Sequence, residues 1–278
     1  MTEDQKMSDK VLSVATQKLY EAAIHRIEEQ FGYGYTADEV IPWLQTKYHN
    51  PHTYKNYLCA LMYVAKGAEY EAYHKAFRGV RVDLATIEKS QTLSDDKKEE
   101  FVPWEELQEM YQGALHSYKA GALSLDKLVL LALYTQTDPL RADFAGMKYI
   151  RLKKELKEIE NGTNYCYLGA SPRFILTAYK TEKTYGRRDI PIPAGLAKLL
   201  KTHKAAGASV VFDGSTNALI IAVRRLTKEL TGKMVGVNLF RHARLTALYE
   251  TNPSIAEKER VAFNMCHSAP EGERYRVL

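Results

Sequence analysis

The chain has 278 residues, of which 45% are hydrophobic and 26% charged, and its formal net charge is +5. This is an ordinary globular composition, long enough for one large domain or two with a sizeable core. No apolar run approaches a membrane span, the charged N-terminus is no signal peptide, and Cys59, Cys166 and Cys266 have no metal-ligand spacing; an intracellular protein with reduced thiols is expected.

Residues 1–10 are polar and expected to fray. From Ser13 to Gln30 the apolar positions Val14, Leu19, Ala23 and Ile27 follow a helical period, which Gly32-Tyr-Gly34 ends. Thr36-Ala-Asp-Glu39 has the spacing of a capping box before Val40, Ile41, Trp43 and Leu44. Asn50-Pro51 starts the next helix, carrying Tyr54, Tyr57, Leu58, Leu61 and Met62, and a further helix is expected around Glu69–Phe77. A bundle of four or five helices thus fills residues 1–90. Residues 88–100 are polar without apolar period, so 91–102 is expected as a linker and 103–278 as a second domain.

In the second domain Pro103 sits where a helix start tolerates proline. Leu125–Thr135 reads as a buried helix that delivers Arg141 after a break at Asp138-Pro139. Met147–Leu152, Tyr165–Leu168, Arg173–Ala178 and Arg188–Ile192 have strand character and predict a small antiparallel sheet. Lys180 and Lys183 then fall on the mobile tip of its last hairpin. Leu196–Leu200 and Asn217–Leu230 are helical, with Arg224, Arg225 and Lys228 on the polar side of the latter. The fold class expected is mainly α with a small antiparallel sheet.

The most informative stretch comes last. Val237–Tyr249 predicts a helix with Asn238 as N-cap and Arg241, His242 and Arg244 near its start, where backbone N–H groups favour an anion. Met265-Cys-His-Ser268 then places His267 eight residues before Tyr275. Clustered arginines, a histidine and a late tyrosine suit attack on a phosphodiester better than a metal or hydride-transfer site. Cys266 beside His267 is disfavoured as a nucleophile pair, because adjacent helical residues point apart. Charge agrees: residues 1–100 hold 13 Lys and Arg against 16 Asp and Glu, whereas residues 101–278 hold 26 against 18, a basic half suited to phosphates.

Leu239-Phe-Arg-His-Ala-Arg-Leu-Thr246 resembles the second arginine box of tyrosine recombinases (integrases). Met265-Cys-His-Ser268 with Tyr275 resembles their histidine and nucleophile box, Pro139-Leu-Arg-Ala-Asp143 their first arginine box, and Ala178-Tyr-Lys-Thr-Glu-Lys183 their lysine turn. Four boxes in the family's order make the resemblance specific over about residues 135–278. The closest flavour is that of integrases from large DNA viruses, virophages and eukaryotic transposons. The resemblance implies a site-specific recombinase that cuts and rejoins double-stranded DNA, integrating or excising a mobile element. It also implies an N-terminal core-binding domain, with Lys55, Asn56 and Lys66 as candidate phosphate contacts, and closure of two domains around a duplex. A homo-oligomeric, tetrameric synapse acting on DNA in a host nucleus or cytoplasm is expected with it.

The chemistry divides among named side chains. A phenol with a pKa of about 10 attacks poorly unless a base or cations assist it. Planar, permanently charged guanidiniums suit the non-bridging oxygens of the transition state, which gives Arg141 and Arg241 the clamp role. Lys180, preferred over Lys183, would protonate the leaving 5′ oxygen, and His267 would bond the phosphate or assist proton movement. Tyr275 would form a 3′-phosphotyrosyl bond that conserves the energy of the broken linkage, so no cofactor, metal or ATP is expected. The family usually has histidine where Asn238 stands, which suggests slower proton handling. Asp143 is read as orienting Arg141, and His242 as a core or supporting residue. Lys183, Arg224, Arg225 and Arg244 complete the candidate DNA contacts. Only Arg276-Val-Leu278 follows Tyr275, and Pro253–Arg260 is expected as a mobile arm in place of a longer tail. The alternatives are a type IB topoisomerase or telomere resolvase, and a catalytically retired DNA-binding protein.

Overall fold

The computed structural model describes residues 12–277; the expectation for residues 1–10 lies outside the described residues. The chain divides into two compact units, Met1–Ser90 and Gln91–Leu278. No described helix is long and apolar enough to cross a membrane.

The first unit is built from α1 (Val14–Phe31), α2 (Ala37–Lys47), α3 (Pro51–Val64) and α4 (Gly67–Ser90). Local chemistry sets the starts. The Glu39 carboxylate accepts from the Thr36 N–H at 2.9 Å and from its hydroxyl at 2.8 Å. The Asn50 side chain caps α3 by accepting from His52 N at 2.9 Å, with Pro51 at the one turn that needs no N–H. Ile27, Val40, Leu44, Leu58 and Leu61 have no exposed surface, and each contributes roughly 1.5–3 kcal/mol by leaving water. α4 runs well past the expected Phe77. Its buried positions Tyr73, Val80 and Leu84 continue at helical spacing, so packing carries the helix through Gly79.

The second unit begins with α5 (Asp95–Glu100) and continues with α6 (Trp104–Lys119) and α7 (Leu125–Thr135). Residues 91–102, expected as a linker, therefore contain a short helix, and Leu93 and Val102 within them are buried in this unit's core. β1 (Lys148–Ile150), β2 (Tyr165–Tyr167), β3 (Arg173–Leu176), α8 (Glu182–Tyr185) and β4 (Arg188–Pro191) follow, then α9 (Ala194–Ala205), α10 (Thr216–Thr231), α11 (Val237–Glu250), α12 (Ile255–Asn264) and α13 (Ala269–Glu273). The unit is mainly α with one small sheet, ordered β1-β2-β3-β4.

That sheet corrects the expectation of purely antiparallel pairing. β2, β3 and β4 are antiparallel neighbours, but β1 pairs with β2 in parallel, Tyr149 opposite Cys166. The 14-residue connection between them, with a 3₁₀ turn at Lys153–Lys157, is long enough for the crossover that a parallel pair needs. α7 is the centre of this unit: every residue from Leu128 to Thr135 is buried, as the unbroken apolar run predicted. Pro253–Arg260, expected as a mobile arm, is instead largely the first half of α12. Ser254 caps it by accepting from Glu257 N at 3.2 Å, and Val261 packs with Leu245, Leu248 and Met265.

Candidate active site

Two of the expected residues are fixed by the loop after α7 and by α11. From the last turn of α7 the Tyr134 hydroxyl donates to the Arg141 carbonyl of the loop at 2.7 Å, and Tyr134 itself packs against Phe144 and Phe240. The buried Asp138 carboxylate accepts from Arg244 Nε at 2.9 Å and from Asn264 Nδ2 at 2.8 Å. The Pro139 carbonyl accepts from Arg241 Nη1 at 2.8 Å. Arg241 also donates from Nη1 and Nη2 to the Met265 carbonyl, both at 3.2 Å. Arg241 is 0% exposed, an exceptional place for a guanidinium, and its Nε has no partner among the described residues. A buried cation with an uncommitted donor is costly, and such costs concentrate where a charged ligand binds.

Tyr275 comes to these arginines from the far end of the chain. The Arg241 guanidinium carbon lies 4.9 Å from its ring centroid. Three backbone links hold the segment: the Tyr275 N–H donates to Gly272 O at 3.1 Å, the Tyr275 carbonyl accepts from His242 Nδ1 at 2.6 Å, and the Val277 N–H donates to Thr246 Oγ1 at 2.9 Å. Burial pushes the phenol's pKa up, but the charges of Arg241 and Arg141 outweigh it and hold the phenol below its ordinary value. A more acidic phenol supplies more phenolate at neutral pH.

His267 stacks on the Tyr275 ring, centroids 5.8 Å apart and planes 21° apart. It is 4% exposed. Its Nδ1 lies 2.8 Å from the Ser268 carbonyl. A carbonyl only accepts, so Nδ1 carries the proton and Nε2 keeps a lone pair. Burial, with the charges of Arg241 and Arg141, brings the imidazole down to about 4. His267 is thus neutral near pH 7, and its buried Nε2 has no hydrogen-bond partner among the described residues. Gly272 makes this packing possible: a Cβ there would lie 3.0 Å from His267 Cε1. Cys266, at φ 57°, turns the chain into His267, and burial pushes its thiol up to about 12, which suits an inert thiol. His242 is likewise brought down to about 4 by burial, and its bond to the Tyr275 carbonyl makes it a support for the tyrosine.

A cleft of about 1210 Å³ opens beside this cluster, lined by Arg141, Asp143, Lys180, Arg224 and Asn238, with Asp96, Glu99 and Glu100 of α5 on its wall. Arg241, His267 and Tyr275 do not line it, and Arg141 is the shared member, charged against Tyr275 and open to the cleft. Burial raises the Asp143 carboxyl, with Arg141 and Arg241 pulling the other way; it is the anion between two like charges. Asn238 is exposed at the second position of α11, and Gly236 is the N-cap, which corrects the expected cap. Lys180 is not on a free tip. The N–H of Ala178 before it bonds Asn164 Oδ1 at 2.9 Å, the Thr181 hydroxyl after it donates to Cys266 O at 2.9 Å, and α8 occupies the rest of the connection.

The remaining basic residues are dispersed. Arg224 lines the cleft with Ile220 and Thr216, one and two turns away on α10, whereas Arg225 is exposed off that face. Lys183 is exposed on α8, outside the cleft. Arg244 is turned to a second cleft with Trp104, Asp138 and Arg260, its charge committed to Asp138. In the first unit Asn56 and Lys66 are exposed and Lys55 is half-buried on α3. Asn164, Thr181 and Asp138 escaped sequence reasoning. A polar residue at a strand end carries no signal of what it bonds, and only Asp138, beside Pro139, was marked even as a break.

No family model and no curated protein matches the chain. Among solved structures, a crystal structure of XerA recombinase aligns over 99% of this chain and 92% of that one, with 12% identity and a TM-score of 0.41. A likeness this distant carries no weight for the chemistry, which rests on the side chains.

Proposed function

We propose that the protein is a tyrosine recombinase, cutting and rejoining DNA strands through a covalent 3′-phosphotyrosyl bond at Tyr275. The observation that carries the reading is convergence: Arg141, Arg241 and His267, from three separate chain segments, act on one phenol, and the arginines increase its acidity despite burial. In the step proposed, the Tyr275 hydroxyl, made more acidic by Arg241 and Arg141, gives its proton to solvent and its Oη attacks phosphorus. The two guanidiniums take the charge on the non-bridging oxygens. The bond to the 5′ oxygen breaks, and Lys180 supplies the proton that oxygen needs. Reversal by a 5′ hydroxyl of another strand rejoins DNA, with the bond energy kept in the phosphotyrosine. Arg224, Arg225 and Lys183, with Lys55, Asn56 and Lys66 of the first unit, serve as backbone contacts on double-stranded DNA. The fuller reading is integration or excision of a mobile or viral element by a homo-oligomer assembled on two duplexes.

The test is covalent capture. The protein is incubated with a randomised pool of nicked duplexes, whose cleaved end diffuses away and traps the adduct, and the modified peptide is mapped. Tyr275 is expected as the modified residue, and Tyr275→Phe is expected to bind DNA but form no adduct. Binding without any adduct by the unmodified chain would instead establish a retired DNA-binding protein, the reading that Asn238 favours. Relaxation of supercoiled plasmid of arbitrary sequence by a monomer would move the assignment to a type IB topoisomerase.

A further inference from the structure

Asn164 is buried, with 8% of its surface exposed, and its side chain uses all of its hydrogen-bonding capacity between two loops. Nδ2 donates to the Asp143 carbonyl at 3.0 Å and to the Ala178 carbonyl at 2.9 Å. Oδ1 accepts from the Thr177 N–H at 3.1 Å and the Ala178 N–H at 2.9 Å. The carbonyls require the NH₂ end and the amides require the oxygen, so the orientation of the amide is set by its partners. The main chain of Asn164 meanwhile accepts from the N–H of Lys148, the first residue of β1, at 2.9 Å. Its side chain therefore continues the sheet where β3 ends at Leu176, and ties the Arg141–Asp143 loop to the residue two before Lys180. On the other side of Lys180, Thr181 Oγ1 donates to Cys266 O at 2.9 Å, beside His267.

We infer that Asn164, with Thr181, is a positioning residue that registers the Lys180 ammonium against the two arginines and His267; the inference rests on the phosphotyrosine reading of the site. Nothing else among these bonds crosses from the lysine hairpin to the arginine loop through a single side chain. Satisfied buried polar links of this kind fix geometry more than they add stability. Their loss should act on the one step in which Lys180 takes part, the transfer of a proton to the departing 5′ oxygen.

The experiment uses a duplex recovered by covalent capture, made in two forms: one with the natural 5′ bridging oxygen at the scissile phosphate, one with sulfur there. A thiolate leaves without a proton, so the sulfur duplex does not need Lys180. Asn164→Ala and the gentler Thr181→Val are compared with the unmodified protein for adduct formation, with DNA binding and thermal unfolding measured alongside. Both variants are expected to cleave the oxygen duplex more slowly, Asn164→Ala by about 10²-fold as for loss of a general acid, and the sulfur duplex within about threefold of the unmodified protein. If Asn164→Ala fails to fold, the same pair of rates for Thr181→Val decides. Equal slowing on both duplexes, or none on either, overturns the positioning role while leaving the phosphotyrosine reading intact. A capture in which the unmodified protein yields no adduct at all overturns both.

Discussion

The arginine side and the lysine side of the site are built in opposite ways. Arg241 is wholly buried and held by three hydrogen bonds to the Pro139 and Met265 carbonyls. Lys180 is exposed, and what order it has comes through the backbone of its neighbours, from Asn164 and Thr181. The difference follows from the tasks proposed. Donors that meet a developing charge work best when already oriented and dry, because nothing then reorganises during reaction. A proton donor has to exchange its proton with solvent between turnovers, and burial would oppose that.

Removing the two arginines separately sharpens this comparison and gives the largest effects. Both Arg241→Ala and Arg141→Ala should lower adduct formation by about 10²–10³-fold, as loss of a transition-state donor does. They should differ in stability. Arg241→Ala leaves two buried carbonyls without donors and opens a cavity, at a cost of about 3 kcal/mol. Arg141 is half-buried at the cleft, with no hydrogen bond from its guanidinium to a scaffold carbonyl among the described residues, and its replacement should cost less than about 1 kcal/mol. Denaturant unfolding measures both. Equal destabilisation would break the contrast, placing Arg141 in the scaffold as well.

The same division explains what could be read from sequence. The buried side announced itself: the apolar run Leu125–Thr135 is a buried helix over those residues, and Arg141, Arg241, His267 and Tyr275 do come together. Capping signals gave the starts of α2 and α3, because they act over three or four residues. The hairpin side reads as a mobile tip in the sequence because its anchors lie 14 and 85 residues away and no local pattern encodes them. The direction of β1 is hidden for the same reason: period-2 character marks a strand but not its partner. Pro253–Arg260 differs, because Ser254-Ile-Ala-Glu257 carries the spacing of a helix start, a local signal that outweighs the alternating charges suggesting an arm.

The next largest effect concerns pH, and it too belongs to the arginine side. Burial brings His267 and His242 from an ordinary 6.5 to about 4. The unfolded chain therefore binds protons below pH 6.5 that the folded protein refuses. The stability this gives is complete above that pH and is lost progressively as pH falls toward 4. At pH 5 the loss is on the order of 2 kcal/mol for each histidine, or roughly 4–8 °C in unfolding temperature. His267→Gln should unfold with a weaker pH dependence between pH 8 and 5 than the unmodified protein. An unchanged pH dependence would mean that the imidazole is solvated in the folded state, and not packed dry against Tyr275.

The smallest effect is expected at Asn238, where the two sides meet at the cleft. It stands three residues before Arg241 on the first turn of α11, exposed and lining the same cleft as Arg141 and Lys180. Its amide can hydrogen-bond a phosphate oxygen but cannot carry a proton. An imidazole at that exposed position would titrate near its ordinary value, so at pH 6 a good part would be cationic and aimed at the phosphate. Asn238→His should accelerate adduct formation by less than about tenfold, more at pH 6 than at pH 8, because the arginines already acidify the phenol and Lys180 supplies an acid. The residue is not the helix cap, so unfolding should be almost unaffected. A gain that is independent of pH would assign the benefit to packing at the start of α11, and a loss of activity would show that the asparagine amide itself holds the phosphate.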